Sequence, residues 1–270
     1  MPYPMNVNPL GHEVNHLLLK CGTGVLVDAT GKFDQEVFYD IARQCMEARI
    51  SVTIVSSGAI RAGEKSMLGG GRTFFSHKEY AAVGTRYLMQ AWGCAFMCFR
   101  IEVAQIWVTP VNMGHKNERG RISTAIQFCH RNRVVPIINE NDVVSESWRG
   151  MDNDVLAAEI AELAHPDAIL FLTKVGGVYE KHPARNPDAR RYSEIDIDAA
   201  RVLASDASTQ SCHGHSGMGE KLFQAVRCVE MGMRVGIAGA ENNNIRRFAR
   251  GESVGTMIHQ VAHNKEGGLS

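Results

Sequence analysis

Val134 to Ile138 (VVPII) is a short apolar run rich in β-branched residues, and it ends abruptly in Asn139, Glu140, Asn141 and Asp142. A run of this length without polar alternation reads as a strand buried on both faces, the kind found in parallel sheets. The pattern recurs. Leu17 to Lys20 breaks into Gly22-Thr23-Gly24, Ser51 to Val55 runs into Ser56-Ser57-Gly58, and Ala168 to Leu172 ends at Thr173-Lys174. Between the runs lie segments with helical spacing: Phe33 to Arg49, Tyr80 to Phe99, Val155 to Leu163 and Leu222 to Met231. Strands alternating with helices specify an α/β fold, a three-layer αβα sandwich with a mostly parallel central sheet. In such sheets ligands bind outside the carboxyl ends of the strands, so the polar residues closing each run should gather at one edge.

The 270 residues, 44% hydrophobic and 21% charged, suffice for one large α/β domain with a substantial core. Lys plus Arg and Asp plus Glu both number 29, so no basic field points to nucleic acid and no acidic excess to disorder. Seven cysteines, odd in number and in apolar surroundings such as those of Cys94 and Cys98, read as reduced, core-packed thiols. No apolar run reaches the length of a membrane span, and MPYPMNVNPLGHEVN lacks the charged-then-apolar layout of a signal peptide. The expected setting is cytoplasmic, with small-molecule partners and neither nucleic acid nor membrane among them.

The junctions carry the chemistry. A glycine turn at Gly22 to Gly24 lets backbone N–H groups approach an anion, with Lys20 beside it. No Gly-Lys-Ser/Thr follows, so this is no Walker A loop, and alone it reads equally as a plain turn. Ser56-Ser57-Gly58 before a helix reads alone as a tight turn. Lys221, after Gly217-Met218-Gly219-Glu220, falls in a first helical turn, where a cation opposes the dipole; an anionic ligand would remove that objection. One of Asp152, Asn153 and Asp154 should cap the helix that follows. The polar stretch GHKNERGR (Gly114 to Arg121) reads as a solvated loop, with a mobile basic loop near a phosphate site as the alternative. Gly69 to Gly71 mark a flexible loop, EKHPARNPDARRY is a long connection, and Ile195 to Leu203 reads as a short helix. His213 and His215 read as loop residues, not metal ligands. Gathered at one edge, the glycine and serine junctions, Lys20, Lys221 and the carboxylates of Asp142, Asp152 and Asp154 are the parts that phosphoryl transfer uses. No GxSxG nucleophile motif supports a hydrolase.

Over residues 17 to 258 the chain resembles the amino-acid kinase family. The matching runs are LLLKCGTGVLVD, VTIVSSGAIRAG, Ala81 to Gly84 (AAVG), VVPIINENDVV, DND before LAAEIAELA, ILFLTKVGGVY with NPDA, and GMGEK. INEND and DND point within the family to the kinases that phosphorylate the side-chain carboxylate of glutamate. The resemblance implies ATP as phosphoryl donor, Mg²⁺ held mainly by its phosphates with no dedicated protein site, and an acyl phosphate product on the way to proline. By position it implies Lys20, Lys221 and Asp154 as catalytic residues. Ser57, Gly58, Asn139, Asp142 and Asn153 would bind the acceptor, and Gly22, Thr23, Thr173, Lys174, Gly217 and Met218, with both lysines, the nucleotide.

The implied division is an N-terminal arm (1–16), a single kinase domain (17–260) with an acceptor-binding part to about residue 165 and a nucleotide-binding part beyond, and a tail (261–270). Self-association into a homo-oligomer is a further expectation. The resemblance stops before any counterpart of the RNA-binding-like domain that bacterial members carry. The chain departs from the family pattern at Lys174, usually Asp, at His215-Ser216, at Arg121-Ile122-Ser123 and at Met151, usually Gly. Two other readings stand beside this one: a kinase for another small carboxylate, and a nucleotide- or metabolite-binding regulator without turnover.

Overall fold

The computed structural model describes residues 14–67, 76–145, 152–206 and 217–261. The glycine loop at Gly69 to Gly71, Met151, and His213, His215 and Ser216 lie outside these residues. In chain order the elements are β1 (His16–Cys21), α1 (Thr23–Leu26), α2 (Gln35–Ala48), β2 (Ser51–Ser56), α3 (Ala59–Met67), α4 (His77–Met97), β3 (Glu102–Val108), α5 (Pro110–Gly114) and α6 (Lys116–Arg131). They continue with β4 (Val134–Glu140), α7 (Asn153–Ala164), β5 (Ala168–Leu172), β6 (Glu194–Asp196), α8 (Ile197–Ser205), α9 (Met218–Glu230), β7 (Arg234–Ala238), α10 (Asn244–Ala249) and β8 (Thr256–His259).

The sheet order is β3-β4-β2-β1-β5-β7-β8-β6, and every neighbouring pair is parallel except β7–β8. Alternation along a strand divides the core in two. Leu17, Leu19 and Cys21 of β1 pack with α2, α4 and α10, whereas Leu18 packs with α6, α7, α8 and α9 on the other face. The three layers follow. From central β1 the chain passes first to β2 on one side and later to β5 on the other, so the connections diverge above β1. A crevice at its carboxyl end is where an open α/β sheet binds ligands.

Three expectations are corrected. GHKNERGR is mostly helix: α6 starts at Lys116, and the charges that read as solvated have partners, Arg119 on α7 and Glu118 on Asn112. Cys94 and Cys98 are exposed. The buried stripe of α4 runs instead through Ala81, Gly84, Leu88, Ala91, Trp92, Ala95 and Phe96, a three-to-four spacing that leaves both thiols outside. Ile195 lies in the short strand β6, and the helix begins only after Asp196, whose side chain caps it through Ala199 N–H (2.8 Å).

The AAVG run serves packing. A Cβ on Gly84 would lie 1.7 Å from the Ala59 carbonyl oxygen, and one on Gly63 would lie 1.9 Å from that of Tyr80. Helices α3 and α4 thus touch backbone to backbone, and this contact seats α3 directly after Ser57-Gly58. Gly84→Ala should therefore destabilise the fold by about 3 kcal/mol, read as a lowered urea midpoint at constant slope.

Candidate active site

Three charged side chains meet above the carboxyl end of β1. Alternation turns Lys20 toward the α7/α9 layer. Asp152 caps α7, its carboxylate accepting from Asp154 N–H (2.8 Å), which places Asp154 in the first turn facing the sheet. Lys221 stands in the first turn of α9. Lys20 Nζ lies 2.7 Å from Asp154 Oδ1, and Lys221 Nζ reaches Oδ1 and Oδ2 at 2.8 and 2.9 Å. Asp154 is fully buried, and the two lysines are 3% and 6% exposed.

Two ammonium groups thus share one carboxylate in a water-poor setting. Burial pushes the Asp154 carboxyl up, but Lys221 and Lys20 outweigh it and hold it below the usual range. Lys221 is pulled down to about 8 by burial and by Lys20, against the opposing pull of Asp154. The dipole objection to Lys221 is thus answered in part by Asp154, with a smaller attraction from Asp152. Among the described residues the N-terminus of α9 has no side-chain cap, and its first-turn N–H groups are of the kind that suit an anion.

The other expected nucleotide residues surround this centre. A Cβ on Gly22 would lie 3.5 Å from Lys20 Nζ and 3.8 Å from Leu172 O, which places this turn directly against the ammonium. Thr23 opens α1, and Gly24 lies 4.0 Å from Lys174 Cβ when given a Cβ of its own. Thr173 N–H donates to Ala238 O (2.8 Å) and holds the end of β5 to β7. Gly217 precedes α9, and Met218 is its first residue.

A second cluster lies at the ends of β2 and β4. Ser57 N–H donates to Cys21 O (2.9 Å), tying β2 to β1. Gly58 has φ +114°, a left-handed conformation that glycine adopts without strain, and a Cβ there would meet Phe33 at 3.0 Å. Asn139 is buried and donates to Ser56 O (2.8 Å). Asn153 Oδ1 is buried with no hydrogen-bond partner among the described residues, an acceptor waiting for a donor. Asp142 is pushed up to about 6, first by burial and then by the neighbouring Glu140. Three further side chains support this cluster. Glu140 is buried and accepts from Ser145 Oγ (2.6 Å), while Ser56 Oγ accepts from Trp92 Nε1 (2.9 Å) and donates to Ser57 O (3.1 Å). Glu140 had a signal, since it stands inside the Asn139–Asp142 cluster; Ser145 and Trp92 had none.

Residues 15–239 match the model of the amino acid kinase family. The chain belongs to the amino acid kinase family. A glutamate 5-kinase of Herpetosiphon aurantiacus is 32% identical over 261 residues, covering 93% of this chain and 70% of the relative. Glutamate 5-kinase 1 of Bacillus licheniformis is 33% identical over 252 residues, covering 90% and 69%. Carbamate kinase from Giardia lamblia bound to AMP-PNP superimposes with a TM-score of 0.66 at 18% identity, over 92% of this chain and 99% of that one, and it shows the shared fold. Among the described residues of this family member no helix is long and apolar enough to cross a membrane.

Asp154→Asn would leave two buried ammonium groups uncompensated and should cost about 3–5 kcal/mol of stability. Because the folded state lowers this carboxyl, its contribution is full above the unfolded value near 4 and is lost as pH falls through the folded one. Urea unfolding from pH 7 to pH 3 should show that loss in the natural chain and a shallower acid limb in the variant.

Proposed function

We propose that this protein transfers the γ-phosphoryl group of ATP to the side-chain carboxylate of glutamate, as the names of its relatives indicate for them. The supporting observation is the shared carboxylate: Lys20 and Lys221 both bind Asp154, buried at the N-terminus of α9. In the transfer the bond from the γ-phosphorus to the bridging oxygen breaks, leaving ADP, and a bond from an acceptor carboxylate oxygen to phosphorus forms. A glutamate carboxylate is already ionised at neutral pH, so no base has to remove a proton. Catalysis then rests on alignment and on stabilising the charge that spreads over the transferred group. Lys20 and Lys221 supply that stabilisation and Asp154 aims them.

The acceptor lies over the ends of β2 and β4. The Asn153 oxygen and the Asp142 carboxylate are suited to its ammonium group, and the backbone of Ser57-Gly58, with Asn139 holding it in place, to its carboxylates. Thr173, Lys174, Gly217 and Met218 border the nucleotide, with Gly22 and Thr23 under its phosphates. Both Asp154 oxygens are taken by ammonium groups, and no other carboxylate cluster suited to a metal occurs among the described residues. In this reading Mg²⁺ travels on the nucleotide phosphates. Proline synthesis in the cytoplasm is the setting this reading carries with it.

Purified protein should release ADP with glutamate, and the product should be trapped by hydroxylamine as the hydroxamate. Turnover with a different small carboxylate and none with glutamate would move the assignment to that acceptor. Tight ATP binding with no turnover on any acceptor would leave a regulator. Lys221→Met should lower kcat by about a thousandfold or more, yet hold or raise the urea midpoint, because it removes one of two like charges from a buried site.

The pH dependence of acceptor binding follows from Asp142. Its carboxyl ionises only above about 6, so the KM for glutamate should rise about tenfold per unit as pH falls below that value, with kcat changing less. Asp142→Asn should raise KM at pH 7.5 and flatten this limb.

A further inference from the structure

Four side chains on three helices close a ring that the chemistry above does not use. Arg119 of α6 reaches Glu159 Oε2 at 2.9 Å and Glu162 Oε1 at 3.0 Å, both on α7. Arg227 of α9 reaches Glu159 Oε1 at 2.7 Å and Glu162 Oε2 at 2.6 Å. Each guanidinium takes one oxygen from each glutamate, and each glutamate serves both arginines. The signs alternate around the ring, so every neighbour attracts, and Arg119 and Glu159 are only 22% and 21% exposed. Such a two-pronged network is the kind of ion pairing that holds a geometry, unlike an isolated surface pair.

Its position gives it a consequence for the site. Glu159 follows Asp154 by about 7 Å along α7, and Arg227 follows Lys221 by about 9 Å along α9. Helices α7 and α9 both begin at the carboxyl edge of the sheet and run the same way. They are joined at their first turns by Asp154–Lys221 and again by this ring. Apolar packing of Leu222, Ala225, Val226 and Val229 seats α9 in the core but is non-directional; the ring adds a second polar tie to α7 below the first. Lys20 rides on the central strand, so the spacing of the two ammonium groups depends on where α9 stands. We infer that Arg119, Glu159, Glu162 and Arg227 are positioning residues that hold α9 in register on α7 and thereby keep Lys221 on Asp154, opposite Lys20. The ring acts on the transferred phosphate only through Lys221, and the inference rests on the phosphotransferase reading above only for its effect on turnover.

The test compares Arg227→Met, which keeps bulk and removes charge, with Arg227→Lys, which keeps charge and loses the fork. Arg43→Met is the control, since Arg43 bridges Asp40, Glu47 and Asn243 in the opposite helical layer. In Arg227→Met, kcat should fall about tenfold or more while both KM values stay within about threefold, and Arg227→Lys should lie between it and the natural chain. Arg43→Met should keep its kcat. A second readout is independent of turnover: the side-chain NMR titration of Lys221, assigned by its loss in Lys221→Met. From about 8 in the natural chain it should move up by about one pH unit or more in Arg227→Met, as the ammonium leaves its buried seat. An unchanged Lys221 titration overturns the inference, and so does a kcat loss shared equally by Arg43→Met. If the natural chain phosphorylates no acceptor, the functional reading fails by itself and the lysine titration still decides the ring.

Discussion

Asp154 sits in the interior between two ammonium groups, and the arrangement at the carboxyl edge of the sheet depends on that contact. One carboxylate cannot balance two lysines, and burial prevents water from doing so. The outcome is a site that is tolerable when empty and better when an anion arrives. The lowered proton affinity of Lys221 records the same tension, since part of it comes from Lys20. Without Asp154 the lysines would repel each other, for Asp152 at the cap of α7 adds only a smaller attraction for Lys221.

The fold delivers these three charges by separate local rules. Two-residue alternation in β1 sends Lys20 to one face, the Asp152 cap fixes the start of α7, and Lys221 in the first turn of α9 meets Asp154 in front of it. The cluster proposed to hold the acceptor is built differently, from hydrogen bonds to backbone among the ends of β1, β2 and β4, so most of its residues hold their geometry without being charged. Glu140 and Asp142 are the exception. Two acids in close quarters give that cluster a sensitivity to pH that the lysine centre, tied to Asp154, does not share in the same range.

Runs such as LLLK, VVPII and AILFL were legible as strands because burial on both faces leaves no polar residue to confuse the period. The three residues of β6 were not, since Glu194 and Asp196 flank a single apolar side chain and the strand owes its existence to β8 beside it. The start of α6 was hidden for a related reason: the partners of Arg119 lie about forty residues on, and a charge whose counterion is remote in sequence looks solvated. Cys94 and Cys98 misled through composition alone, because α4 is apolar nearly all round and only its register against the sheet decides which side is covered. The lysines and Asp154 were legible as charges gathering at strand ends and took their roles from family likeness, while their shared hydrogen bonds needed three dimensions to appear.

Trp92 ties the packing of α4 to the acceptor cluster in a way that reaches beyond structure. Its indole is wholly buried and donates to Ser56, which in turn donates to the carbonyl of Ser57. Any shift of that carbonyl alters the electrical environment of the indole, whereas the ring of Trp107 stands half in solvent. Of the three tryptophans, Trp92 is thus an internal fluorophore one hydroxyl away from the cluster proposed to hold the acceptor, and its emission would report a change there without an added label.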